Sequence, residues 1–382
     1  MKNKIKNILT SVLVSTFAYS CVANRPNQAY DPSVLPNAGR TDIRSIANLN
    51  LTNLYALLLS PTNNQLSLLD LADNRVKLSV NTGRNPQVLA VSPNKSHILV
   101  GNQLDGTISS FFREDNFVIR DLGVIGSGGL ASDIIFNSNG TEAYAANQNL
   151  GRLSVLSILN RDRPKVKKVL SIKVDDVSSP LASPSKLALS SDNNTIYALD
   201  KNNGRLFIFT KKDNSFVQDI TVNLNTQVRV VPEDIMFSND KLYITDSNNS
   251  SIIVFDTIEK KVSNTISISD NTYKDSLIPT KMAFNSKEGK IYVINQGIST
   301  VAVIDSNKNS LVKHISLSNN SVNDAGEPSD ISISDNGAFL YVTNNVGRNL
   351  SIISGKEDKL LRNIGTTMSA GALLPLSAIN II

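Results

Sequence analysis

The tetrad Tyr341-Val342-Thr343-Asn344 stands between an apolar run opened by Pro328 and a third run opened, nine residues after its Tyr, by Leu350. The same order of features recurs along the chain with a period of about 48 residues, the signature of stacked supersecondary units that share one core. Openings fall at Pro86, Ala131, Pro184, Pro232, Pro279, Pro328 and Pro375. After each of the first six comes a short strand, a Ser/Asn/Asp/Gly turn and a second strand marked by Leu99, Tyr144, Tyr197, Tyr243, Tyr292 or Tyr341. Nine residues beyond each marker, Ile108, Leu153, Leu206, Ile252, Val301 and Leu350 open a third strand.

The second and third strands are separated by residues 102–106, 147–151, 200–204, 246–249, 295–297 and 344–347, rich in Asn, Asp and Gly. Asn and Asp bond nearby backbone, and Gly accepts positive φ, so these are tight turns. A fourth strand such as 261–266 follows a further polar turn, and four strands per unit make a propeller blade. One blade is split. Residues 54–56 and 66–70 supply its second and third strands, while 375–382 reads as its missing first strand. The expectation is an all-β, seven-bladed propeller over residues 51–382, closed by the C-terminal strand, which removes the exposed edges of an open ring.

Over residues 51–382 the chain resembles the YVTN family of bacterial β-propeller repeats, through Tyr341-Val342-Thr343-Asn344 and degenerate copies such as Tyr292-Val293-Ile294-Asn295, Tyr243-Ile244-Thr245-Asp246 and Tyr144-Ala145-Ala146-Asn147. Leu99-Val100-Gly101-Asn102 lacks the Tyr. The resemblance implies architecture and leaves activity open, since similar seven-bladed proteins include lactonases, electron-transfer subunits and surface or periplasmic proteins.

The N-terminus has the form of an export signal, with Lys2, Lys4 and Lys6 before an apolar stretch too short to span a bilayer. Ala18-Tyr19-Ser20-Cys21 resembles a lipobox, departing from it at Ala18 where Leu is usual, and Cys21 is the sole cysteine. The chain therefore divides into a lipoprotein signal (1–20), a lipidated Cys21 with a Pro/Asn-rich tether (21–50), and the propeller. Val22 after the anchor implies, by resemblance to Gram-negative lipoproteins, the outer membrane, facing the periplasm or the cell surface.

Three of the net five positive charges are Lys2, Lys4 and Lys6, which leaves two on the mature chain. With no long basic run, the chain is not expected to bind nucleic acid; Lys165, Lys167 and Lys168 read as a solvated outer strand. No cofactor is expected: two histidines, His97 and His314, both read as surface residues, do not make a copper or haem site, and one Cys excludes c-type haem attachment. No Gly-x-Ser-x-Gly elbow is present. Calcium is the metal the composition best tolerates, through Asp270, Asn271, Asp324 and Asn336, yet turn propensity explains those residues equally well.

Two positions after each opening stand Val88, Asp133, Lys186, Asp234, Lys281, Asp330 and Ser377, so five consecutive blades alternate acid and base. These residues begin the innermost strands and ring one mouth of the axial channel. They either pair their charges between blades or form the polar floor of a small-ligand site. The loops of the same end carry Arg152, Arg205 and Arg348, expected to meet a partner such as an envelope protein or glycan. Trp is absent, so substrate stacking would fall to Tyr or Phe already committed to blade cores. The function expected is a lipid-anchored, non-enzymatic binding or scaffolding module, with a lactonase-like hydrolase or lyase acting at the channel mouth as the alternative.

Overall fold

The computed structural model describes residues 55–381 apart from 73–74, 115–117, 175–180, 226–227, 275–276, 319–325, 366, 369–371 and 374–378. Residues 1–54, on which the expected signal, anchor Cys21 and tether fall, lie outside the described residues. Regular structure among them is β, save two three-residue turns of 3-10 helix at Gln148–Leu150 and Gln296–Ile298.

Seven four-stranded antiparallel sheets form the blades, numbered here along the chain. Blade 7 shows the pattern: Pro328–Ile333 innermost, then Phe339–Asn344, Asn349–Ser354 and outermost Lys359–Gly365. The innermost strands of blades 2 to 6 are Pro86–Val91, Ala131–Phe136, Pro184–Leu189, Pro232–Ser238 and Pro279–Asn285. Blade 1 takes Tyr55–Ser60, Gln65–Asp70 and Arg75–Asn81 from the start of the propeller and its inner strand, Ile379–Ile381, from the other end. The pairs Ala56↔Ile381, Leu57↔Asn380 and Leu58↔Ile379 close the ring. The expected closure is therefore present, in a strand shorter than the 375–382 read from sequence.

The core lies between blades. Tyr144, Leu153 and Val155 of blade 3 share one buried cluster with Leu187, Ile196, Phe207 and Phe209 of blade 4, and further clusters join blades 4 and 5, 5 and 6, and 6 and 7. Each such buried Leu, Ile or Phe stabilises the fold by about 1.5–3 kcal/mol.

The marker Tyr of one blade reaches the outer turn of the next. Tyr243 Oη donates to Ser306 O at 3.3 Å, and Tyr292 Oη to Gly355 O at 3.0 Å and Asp358 Oδ1 at 2.7 Å. The Asn that ends the second strand caps its own turn: Asn344 Nδ2 donates to Asn349 Oδ1 at 2.6 Å and Ser351 Oγ at 2.8 Å. The repeated tetrad thus carries two jobs, a turn cap at its Asn and, in blades 5 and 6, a tie to the next blade at its Tyr.

One feature escaped the sequence pattern. In each of blades 2 to 7 the inner strand carries one extra residue just after its opening, shifting the register between Pro184 and Lys186, for example, or between Pro232 and Ile235. A bulge bends its strand and re-aims side chains. Here it falls beside the alternating charged positions at the channel mouth.

Candidate functional site at the channel mouth

The loops entering each blade and the loops between second and third strands meet at one end of the ring, as strand alternation requires. Backbone N–H groups of Gln103, Gln148, Ser247, Gln296 and Asn345 donate to the carbonyls of Asn85, Leu130, Val231, Ile278 and Glu327 across that end. The inner strands begin there.

Asp133, Lys186, Asp234, Lys281 and Asp330 are all half-buried. Asp133 spends both carboxylate oxygens on blade 4: Oδ1 accepts from Lys186 Nζ at 3.0 Å and Oδ2 from the Leu187 N–H at 2.8 Å. Asp234 repeats half of that tie, its Oδ2 accepting the Met282 N–H of blade 6 at 3.0 Å. The acids are therefore inter-blade braces, which supports the pairing account of the alternation. Asp234 differs from Asp133 in leaving Oδ1 without a hydrogen-bond partner among the described residues.

The electrostatics separate the members further. Burial alone would lower the Lys186 ammonium, but the carboxylates of Asp133 and Asp234 outweigh it and hold Lys186 above the ordinary lysine value. Burial pushes the Asp234 carboxyl up, against the opposing pull of Lys281 and Lys186. Lys281 forms no ion pair among the described residues. Asp234 and Lys281 are thus a carboxylate with one open oxygen and, on the adjacent blade, an ammonium that acts on it through charge without a close ion pair.

Lys201 and Glu233, missed by the sequence reading, stand beside this ring as a 2.5 Å ion pair. Glu233 was visible as an acid one place after an opening, where other blades carry Gln87, Ser132, Ser185, Thr280 and Ser329.

The three arginines do not join the ring. Arg205 donates to Asp200 Oδ2 at 2.8 Å and to Leu181 O at 3.2 Å, and its guanidinium lies 5.4 Å from the Phe207 ring centroid. Arg152 and Arg348 are exposed at the start of third strands, two strand spacings or about 10 Å outward from the channel.

Both histidines are buried rather than at the surface, a correction to the sequence reading. His97 opens the second strand of blade 2, where Nε2 meets Leu159 O at 3.0 Å and Phe112 packs edge-on at 5.1 Å; burial pushes its imidazole down, partly offset by that carbonyl. His314 lies on the outermost strand of blade 6, as read, but its side chain is 1% exposed and meets Ile268 O at 2.8 Å. Lys165, Lys167 and Lys168 lie exposed on an outer strand, as expected.

Asp270 accepts the N–H groups of Thr272 and Tyr273, and Asn336 that of Ala338, so each serves its own turn, at opposite ends of the ring. Asp324 lies outside the described residues. No three His, Cys, Asp or Glu among those described are grouped to hold a metal ion. The far end of the channel opens into a cavity of about 410 Å³ lined by Val91, Met236, Phe284, Ile331 and Ile333, with the Lys95–Asp335 pair across it. Its two charged groups, Lys95 and Asp335, are paired with each other.

A family model described as "Lactonase, 7-bladed beta-propeller" matches residues 59–375. No curated protein sequence matches the chain. Among solved structures, a protein of Lactobacillus plantarum superposes with a TM-score of 0.69 at 15% identity, covering 86% of this chain and 99% of that one. A Bacteroides uniformis protein provisionally named a 6-phosphogluconolactonase gives 0.68 at 15%, covering 86% and 99%. The periplasmic gluconolactonase PpgL of Pseudomonas aeruginosa gives 0.65 at 17%, again covering 86% and 99%. At these identities the superpositions speak to fold. The family match overturns the expectation of a non-enzymatic binding or scaffolding module and favours the hydrolase alternative. The chain belongs to the lactonase family of seven-bladed β-propellers.

Proposed function

We propose that the chain hydrolyses a lactone at the mouth where the inner strands begin, with Asp234 as general base and Lys281 as electrophile. The reading is carried by the family match over residues 59–375, and an open carboxylate oxygen beside an ammonium that forms no ion pair among the described residues supports this position for the site. A water oxygen attacks the ring carbonyl carbon while Asp234 Oδ1 takes its proton, and Lys281 receives the charge that develops on the carbonyl oxygen. Collapse breaks the bond between the acyl carbon and the ring oxygen. The proton on Asp234 passes to that oxygen, giving the open hydroxy acid. A carboxyl raised above its usual range is a stronger base than an ordinary Asp, which suits it to the first step. Asp133, with both oxygens engaged, and Lys186 hold the geometry.

The test is hydrolysis of δ-gluconolactone by the mature chain carrying Cys21→Ser. Asp234→Asn keeps an oxygen for the Met282 N–H and is expected to lower kcat by about 10²–10⁴. A variant as fast as the parent would remove Asp234 from the mechanism. We also propose that Cys21 anchors the protein in the cell envelope, on the strength of the leader and lipobox. Cys21→Ser should then move the chain from the membrane to the soluble fraction, and continued sedimentation with membranes would refute the anchor.

A further inference from the structure

We infer that the mouth is built for an uncharged, polyhydroxylated aliphatic lactone and selects against a phosphorylated one. The inference rests on the hydrolase reading and concerns what that site admits. Phosphate recognition needs cations or N–H groups in surplus. The charged arc of the mouth has the opposite balance: three carboxylates, Asp133, Asp234 and Asp330, face two ammoniums, Lys186 and Lys281. Lys186 is already paired with Asp133 at 3.0 Å. Lys281 sits on blade 6, between Asp234 of blade 5 and Asp330 of blade 7, so an anion brought to it also meets carboxylates from both neighbouring blades. The neighbouring Lys201 is consumed by Glu233 at 2.5 Å. The arginines that would suit a phosphate stand about 10 Å outward, and Arg205 is spent on Asp200 at 2.8 Å.

An excess of carboxylate oxygens is suited to a different ligand, one rich in hydroxyl donors. The Asp234 Oδ1 is open to such a group. The hydroxyls one place earlier, Ser132 and Ser185, are turned to backbone, donating to Pro184 O at 2.8 Å and Leu199 O at 3.1 Å, so the carboxylates are the acceptors the mouth offers. Aromatic lactones find little to stack on: Trp is absent, and Tyr144, Tyr243, Tyr292 and Tyr341 are buried in the blades.

The experiment compares kcat/KM for δ-gluconolactone and for its 6-phospho derivative at equal ionic strength, in the parent and in Asp330→Asn. The neutral lactone is expected to be favoured on the order of a hundredfold, with the ratio falling several-fold in Asp330→Asn as one negative charge leaves the arc. A preference for the phosphorylated substrate, or a ratio unmoved by Asp330→Asn, overturns this inference while leaving the hydrolase reading standing. Failure to open either ring above the spontaneous rate refutes the hydrolase reading itself.

Discussion

Two identical substitutions at equivalent places in adjacent blades should have opposite consequences. Tyr292 and Tyr341 are the marker tyrosines of blades 6 and 7, and both are completely buried. The Tyr292 hydroxyl donates across the interface to Gly355 O at 3.0 Å and Asp358 Oδ1 at 2.7 Å, while Asp358 also takes Lys290 Nζ at 2.8 Å. Burial, reinforced by the Asp358 carboxylate, pushes that phenol far above its usual value, so it stays protonated and donating. The Tyr341 hydroxyl is buried with no hydrogen-bond partner among the described residues. A hydrogen bond to a charged acceptor contributes about 1.5–3 kcal/mol, whereas a buried hydroxyl without one costs free energy. Tyr292→Phe should therefore destabilise by about 2 kcal/mol, the Lys290 pair sparing Asp358 from being left bare. Tyr341→Phe should be neutral or stabilising by up to about 1 kcal/mol. At an unfolding entropy of about 0.7 kcal/mol/K for a propeller of this size, the first loss lowers Tm by about 3 °C. Urea titration followed by tyrosine fluorescence gives both values under one set of conditions. Equal losses for the two variants would show that the tyrosines act through ring packing and that their hydroxyls are incidental.

Asp133→Ala strands the Lys186 ammonium and the Leu187 N–H together and should cost about 2–3 kcal/mol, while Asp133→Asn, which keeps an acceptor, should cost about half as much; urea midpoints decide. Ending the chain at Leu373 removes the pairs Ala56↔Ile381 to Leu58↔Ile379 and bares the edge of Tyr55–Ser60, so the expected outcome is loss of cooperative unfolding and oligomers on size exclusion; a monomer with parental stability would contradict it. Burial raises the Asp234 carboxyl, so a base at that position loses its charge at a higher pH than an ordinary Asp. The acid limb of kcat against pH should lie above about 4 and vanish with the residual activity of Asp234→Asn. The same shift favours the protonated carboxyl in the fold. Its contribution to stability is present below the unfolded value and lost as pH rises through the folded one, and Asp234→Asn should flatten that part of the pH–stability curve.

Blade number, strand order and closure were legible because each is written in residues that recur: the openings, the marker tyrosines, and the turn-capping Asn. Those positions obey local rules, and six near-copies average out the exceptions. The site was legible only as a column of charges. Nothing in Asp133 or Asp234 as letters distinguishes a brace from a base. The bulge in each inner strand leaves both acids with an oxygen on an N–H of the next blade, and what separates them is Lys186, whose ammonium takes the second oxygen of Asp133 and not that of Asp234. Bulges leave no mark on a hydrophobic pattern of period two unless a Gly announces them, and here none does. The histidines were misplaced for a related reason. His97 and His314 sit at strand positions whose outward or inward sense is set by neighbouring blades, through Leu159 and Ile268, and those contacts are remote in sequence.

The number of blades also shapes the site. Acid and base can alternate without a clash around an even ring, but seven positions cannot close an alternation. Among the described residues the break falls at blade 2, where Val88 stands in place of a charge, so the charged arc covers blades 3 to 7. An arc that begins and ends with an acid has one more acid than base, which is how three carboxylates come to face two ammoniums. Each interior residue of the arc has an opposite charge on both sides, as Lys281 has in Asp234 and Asp330. The end member Asp133 has the uncharged Val88 on its other side. Asp234 is the middle member, flanked by Lys186 and Lys281, whose charges oppose the effect of burial on its carboxyl. Burial still prevails there. The proposed base thus stands at the centre of an arc whose odd number of members leaves it short of positive charge.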